Sequence, residues 1–263
     1  MTESPVARRG RKPAQGEPVV DRALRLLSAF EDRGGALSLA QLSARAGLPK
    51  ATTLRLARRL TEWGALERTG DGQFVIGLRL LEIAALSPRG HGLRAAALPF
   101  MQDLHHATGQ HVLLAVRDDT EAVLVERLSA HRAGRVLFRV GGRLPLHATG
   151  VGLVLLANAP RDVHEEVLAG ELPLPEERRG LSAAELRRTI ARVRREGVAV
   201  SSLRLPEPMS SVAAPVFDAR QTAVAALSVV VPTASLQPAT LVPAVVAVAR
   251  AVSRAVQRSP AAR

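Results

Sequence analysis

Between residues 38 and 63 the chain reverses through Gly47-Leu48-Pro49, and that turn restricts the possible folds more than any other stretch. Ahead of it, SLAQLSARA opens on Ser38, which can cap a short helix, and Gln41 stands at the capping-box position. Gly47 ends that helix, and Pro49 stands where the first turn of the next tolerates proline. This next helix runs to Trp63 with Leu56 and Leu60 facing inward, beside Thr53 and Ala57. Two short helices joined by a tight glycine turn form a helix-turn-helix. A preceding amphipathic helix is expected over 21–30, with Asp21 in its first turn. It places Ala23, Leu26, Leu27 and Phe30 on one face and is stopped by Gly34-Gly35. After Trp63, LERT, GDG and QFVIG describe a hairpin turned at Asp71-Gly72, with Phe74 and Ile76 returning on one face. A hairpin in that place is the wing of a winged helix.

The third helix, PKATTLRLARRLTEW, carries four cations against one acid, Glu62. Opposite its inward side stand Lys50, Ala51, Thr52, Leu54, Arg55, Arg58 and Arg59. In a helix-turn-helix this element enters the major groove. Arg55 is then the candidate for guanine, because one guanidinium can bond O6 and N7 together. Lys50 and Thr52, with Leu54 beside them, suit bases or phosphate. Arg58 and Arg59 suit phosphates, which set register without reading sequence. Arg68 in the wing suits a neighbouring phosphate. The bland alternative is a solvated basic helix face; the complete order of caps, turn, basic helix and hairpin favours double-stranded DNA.

Bulk properties agree and exclude several classes. The formal charge is +12, carried almost wholly by arginine, since Lys12 and Lys50 are the only lysines. Such a surplus favours polyanions. Aromatic residues make up 2% with no Tyr, which argues against stacking platforms for single strands. No cysteine is present, so disulfides and thiolate metal sites are excluded. MTESPVARRGRKP has no apolar stretch behind its charges, and the apolar runs at 222–232 and 241–249 are shorter than the ~20 residues of a membrane helix. The expectation is a cytoplasmic protein without a membrane partner. Residues 1–18 read as a disordered basic tail, either a DNA-contacting arm or a solubilising segment.

Beyond the wing, an apolar helical stretch at 78–86 is broken by Ser87-Pro88-Arg89-Gly90, and a long helix covers Leu93–Thr108. Then the period changes. HVLLAVRDDTEAVLVERL is a strand pair around Asp118-Asp119-Thr120, and RVLFRV is a third strand. Helices follow at 149–157, 161–169 and after Ser182, whose capping box is completed by Glu185 and stopped by Gly197. Strands at VAVSS, MSSVAAPVF and TAVAALSVVV and a helix at 239–257 close the chain. Helices packed on an antiparallel sheet, an α+β domain, are implied.

At this point VVDRALRLLSAF, LSLAQLSARAGLPKATTLRLARRL and QFVIGLRLLEIA together resemble the IclR family of bacterial transcription regulators. TGQHVLLAV, GGRLPLHATGVGLVLLA, VRREGVAV and AAPVFDARQTAVAALSVVVP continue the likeness, which spans about residues 19–255. The resemblance implies a winged helix-turn-helix over 19–78 and a linker helix over 79–92. A GAF-like α+β ligand-binding and oligomerisation domain over 93–258 follows. It further implies a homodimer or homotetramer, a palindromic or near-palindromic operator, and control by a small organic effector, with most members repressing and some activating. The effector pocket it implies draws on Gly150 and Val151 after the His-Ala motif. Ser201 and Ser211 stand at the positions of a paired Asp and Cys, and Ser228 and Val230 at those of two alternating serines. Alternate residues of a strand share a face, so Ser228 and Val230 can point into one cavity. Departures from the pattern are Leu203 and Arg204 for an acidic pair, Pro208 and Met209 for Gly and Arg, and Leu153 for Lys. They point to an effector less polar than a small keto acid.

No cofactor, metal or catalytic residue is expected. Asp103, His105, His106 and His111 tempt as a metal cluster, but His105 and His106 are adjacent on a helix and His111 lies past its stop. His147 reads as a structural histidine. No nucleophile elbow, P-loop or dinucleotide motif is present. The alternatives to a ligand-responsive regulator are a ligand-independent architectural DNA binder and an enzyme with an accessory DNA-binding domain.

Overall fold

A computed structural model of the protein describes residues 17–30, 35–129, 138–172, 181–204 and 208–258. The tail expected at 1–18 lies outside them except for Glu17 and Pro18. The chain divides into two units between Ile83 and Ala84.

The first unit is α1 (Val19–Ser28), α2 (Leu39–Ala46), α3 (Lys50–Trp63), β1 (Leu66–Arg68), β2 (Phe74–Ile76) and the start of α4 (Leu78–Ala84). Its caps do what their sequence requires. The Gln41 amide donates to Ser38 Oγ at 3.3 Å, and the Ser38 amide to Gln41 Oε1 at 2.8 Å. Gly47, at φ 61°, terminates α2, and the turn is held by Ser43 Oγ donating to Leu48 O at 2.6 Å. The core joins Leu26, Phe30, Leu42, Leu56, Leu66 and Phe74. Leu37 pairs with Phe74 through two backbone hydrogen bonds of 2.8 Å, adding a third partner to the β1–β2 wing. Ile76, expected beside Phe74 on the wing's inner face, is instead exposed. Gly77 is obligatory, since a Cβ there would lie 2.2 Å from Gly64 O.

The second unit is built on one antiparallel sheet of order β5-β4-β3-β8-β7-β6. Its strands are β3 (His111–Asp118), β4 (Glu121–Leu128), β5 (Arg143–Pro145), β6 (Ala199–Arg204), β7 (Pro208–Phe217) and β8 (Ala223–Pro232). The strand expected at 135–140 is not found at 138–140, and 135–137 lie outside the described residues. The short strand beside β4 is Arg143–Pro145 instead. Both sheet faces are buried. On one side lie α6 (Gly150–Ala157), α7 (Arg161–Ala169) and α8 (Ala183–Glu196), over Leu113, Ala115, Ala213, Ala226 and Val230. On the other lie α5 (Leu93–Thr108) and α9 (Pro238–Arg258), over Leu114, Val212, Leu227 and Val229.

A β-bulge shifts the β3–β4 register, so Leu114 faces Glu126 while Ala115 faces Leu124. The extra residue moves the Glu126 carboxylate to the α5 side, where Arg94 donates to it. By length and composition α9 could cross a membrane. Its Leu241, Val245, Ala249, Val252 and Val256 are buried in the α5-side core, and Arg250, Arg254 and Arg258 are exposed. Those contacts make it a core helix.

α6 lies so close to the chain before it that Gly152 admits no side chain: a Cβ would meet Pro145 O and Thr149 Oγ1 at 2.6 Å and Leu146 Cα at 2.7 Å. Overpacking of backbone is expected to make Gly152→Ala less stable by about 1–3 kcal/mol, read as a lowered denaturant midpoint. A midpoint at or above that of the parent would contradict this packing.

Candidate functional site

At 100° per residue, α3 turns Thr53, Leu56, Ala57 and Leu60 toward the small core, the first three of them buried. Arg55 and Arg58 then straddle the outermost line of the helix with Ala51 between them, all exposed. Lys50 and the partly buried Leu54 lie to one side; Thr52, also partly buried, and Arg59 lie to the other. The structure thus gathers these six predicted residues on one helix surface but does not leave every cation equally available. Arg59 Nη1 donates to Glu62 Oε2 at 2.8 Å, an exposed pair worth about 0.3–0.5 kcal/mol. Arg68, on the wing, donates to Gly72 O at 3.2 Å and lies 5.2 Å from the Phe74 ring centroid. It stiffens the hairpin from which it would have to reach a phosphate.

The wing tip has its own polar lock. Thr69 and Gln73 side chains both donate to Asp71, which holds its carboxyl below the usual carboxylate range. With the folded value lowered, this lock is in force at neutral pH and is lost as pH falls through that lowered value.

The residues expected at an effector pocket lie under and at the end of α6. Thr149 caps the helix, its Oγ1 accepting from the Gly152 amide at 3.1 Å. The Leu153 amide donates to Thr149 O. That leaves the Gly150 and Val151 amides, at the positive end of the helix, without intrahelical acceptors. A Cβ on Gly150 would fall 2.3 Å from Ser211 Oγ, so β7 approaches this end of α6 closely. The sheet register sets Ser201 opposite Ser211, Ser211 opposite Val230, and Val230 opposite His111. The adjacent same-face row runs Ala199, Ala213, Ser228, Leu113 and Arg127. All six residues expected at an effector pocket therefore share one face or the helix end above it. Ser211 and Ser201 are only partly buried, whereas Ser228 is 1% exposed. Ser228 Oγ has no hydrogen-bond partner among the described residues, which is costly unless something else supplies one.

His111 and Arg127 were not legible as members of this face. His111 is buried, and Arg127 donates to Phe138 O. The period of HVLLAV already puts 111, 113 and 115 on one face, but nothing in it says that β3 lies beside β8. His105 shares a hydrogen bond of 2.7 Å with Gln110 O, and among the described residues no three His, Asp or Glu groups converge as metal ligands.

Comparison with known proteins adds the following. Residues 19–70 match the IclR helix-turn-helix domain and residues 86–258 the bacterial transcriptional regulator IclR C-terminal domain. The chain is 27% identical over 242 residues to the transcriptional repressor IclR of Escherichia coli K12, covering 85% of each. It is 35% identical over 164 residues to the transcriptional repressor AllR of the same strain, covering 59% of each. An IclR homolog from Microbacterium hydrocarbonoxydans, solved with 4-hydroxybenzoate, superposes with TM-score 0.85 at 32% identity, covering 92% of this chain and all of that one. HmgR of Pseudomonas aeruginosa superposes with TM-score 0.72 at 26% identity, covering 89% and 97%.

Two outcomes are expected. Glu62→Gln frees Arg59, so binding to random duplex should strengthen and its log–log salt slope steepen by up to about 0.9; an unchanged slope in anisotropy titrations would show that Arg59 meets no phosphate. Ser228→Ala removes an unpartnered buried hydroxyl, so the ligand-free protein should gain about 1 kcal/mol, and a loss of stability in urea would mean that the hydroxyl is bonded after all.

Proposed function

Because the chain belongs to the IclR family of bacterial transcription regulators, we propose that it is a repressor whose grip on its operator is set by a small organic effector. The observation that carries this reading is the cationic outer surface of α3, held at a capped turn and followed by a wing. α3 lies in the major groove of double-stranded DNA. Arg55 bonds a guanine edge, with Lys50, Thr52 and Leu54 beside it on the bases or the near backbone. Arg58, Arg59 and the wing's Arg68 contact phosphates and fix register.

A palindromic operator needs two copies of α3, so the working unit is a homodimer or a pair of dimers. Half-sites one helical turn apart place the reading helices about 34 Å from each other. An effector bound among Gly150, Val151, Ser201, Ser211, Ser228 and Val230 acts by favouring a pairing that misses that spacing. The relative solved with 4-hydroxybenzoate supports an aromatic carboxylate as the effector class. The protein works where its operator is, in the cytoplasm, and turns nothing over.

Arg55→Ala tests the reading helix. It should weaken binding to the upstream intergenic DNA of its own gene by about 1–3 kcal/mol while leaving the melting temperature in place. A footprint identical to that of the parent would sink the assignment of α3. Operator affinity that stays constant across a broad panel of organic acids would return the ligand-independent reading.

A further inference from the structure

Beyond the effector reading, we propose a second ligand site, a groove between α8 and α9 that takes a small sugar phosphate. It opens at the far end of α6 from Gly150, beside the C-cap Asn158. The sheet leaves room there. β6 begins at Ala199, opposite Ala213, so among the described residues the end of β7, 214–217, runs on with no strand beside it on that side. Pro215, which has no amide hydrogen, stands where an edge tolerates it. α9 supplies what β6 does not. The Phe217 amide donates to Ser253 Oγ at 2.9 Å, and Phe217 O accepts from Gln257 Nε2 at 3.4 Å. α8 has already ended at Glu196, with Gly197 at φ 69° turning the chain toward β6. Between the end of α8, the edge of β7 and α9 a groove of about 460 Å³ remains, within the range of small-molecule sites.

The groove is cationic. Arg250 and Arg254 stand one turn apart on α9, and Arg194 comes from α8, its Nε donating to Ala157 O. Glu196 is the one acid among the lining residues, and it pairs with Arg195 at 3.0 Å. Exposed arginines on other helices carry an acid one turn away, as Arg59 does in Glu62, Arg79 in Glu82 and Arg161 in Glu165. α9 has no acid anywhere along its length, and like charges at this spacing oppose each other. Arg250 and Arg254 make no ion pair among the described residues, so their charge is left for an anion from outside. Three guanidiniums call for more than one negative charge. A phosphate monoester carries roughly two near neutral pH, on oxygens that match the guanidinium fork. The other polar groups suit the body of the ligand. Asn158 and Gln257 spend their amide nitrogens on Val154 O and on Phe217 O and Asp218 O. What each can offer a ligand is a carbonyl oxygen, an acceptor for sugar hydroxyls. Val193, Phe217 and Val246 add apolar contact for the carbon face of a ring.

The test is isothermal titration of the full-length protein with ribose 5-phosphate and glucose 6-phosphate, against ribose, inorganic phosphate and citrate. At least one sugar phosphate should bind about tenfold more tightly than ribose, phosphate or citrate. Arg250→Gln combined with Arg254→Gln should weaken that binding at least about tenfold, while the melting temperature and the salt slope of binding to random duplex stay in place. Should the double variant fail to fold, the two single variants decide, each weakening the sugar phosphate about threefold. No binding of either sugar phosphate, citrate bound as tightly, or affinity kept by the arginine variants overturns the site. So does a salt slope that falls in the double variant, because the cations of the groove would then be phosphate contacts of the duplex. None of these outcomes touches the reading of α3 or of the face beneath α6.

Discussion

The pleat of one sheet assigns nearly every buried side chain of the second unit. Because both faces are covered, the alternation of β8 sends Ala226, Ser228 and Val230 toward α6 and Ala225, Leu227, Val229 and Val231 toward α5 and α9. A slip of one residue would exchange the two sets. Ser228 would then enter the other core, and the row Ser201, Ser211, Val230 and His111 would dissolve. Everything proposed about the effector rests on that register. α6 depends on it too, for all eight of its residues are buried. A helix with no polar face offers chemistry only at its ends, and its N-terminus is the end that meets Ser211.

Beneath α5 and α9 the named polar groups are satisfied. Glu126 accepts from Arg94 and from the Arg127 amide; Ser210 exchanges hydrogen bonds with Ser202 and Thr233; Ser253 donates to Ala249 O and accepts from the Phe217 amide. Beneath α6, Ser228 Oγ finds no partner among the described residues. Folding tolerates such an orphan at a cost comparable to one hydrogen bond, and binding sites are where such costs accumulate. The bulge in β4 belongs to the same division. It turns the Glu126 carboxylate away from the α6 side, so that face keeps hydroxyls, an imidazole and a guanidinium but no acid from β4.

In the first unit, cations of equal charge are placed unequally. Arg55 and Arg58 stand outermost on α3, Arg59 leans on Glu62, and Arg68 is bound into its own hairpin. Among the described residues the two guanidiniums at the crest are not tethered, so both are available to a polyanion.

Short-range physics made much of this chain legible from its residues. Ser38 with Gln41 and Ser182 with Glu185 are local hydrogen-bonding units, Gly47 and Gly197 are left-handed stops, and alternation marks strands. These interactions span a few residues and need no partner from elsewhere, so the helix-turn-helix, the wing and most strands follow from the order of residues alone. The likeness to a known family supplied the six positions expected at a pocket, which spacing could not. Tertiary structure decided what depends on neighbours distant in sequence. Strand order put His111 two strands from Ser211, and the bulge chose the face of Glu126. The close approach of α6 turned Gly150 and Gly152 from small residues into required ones. Such outcomes arise from packing both faces of a sheet at once, and no window of sequence contains both sides of that contact.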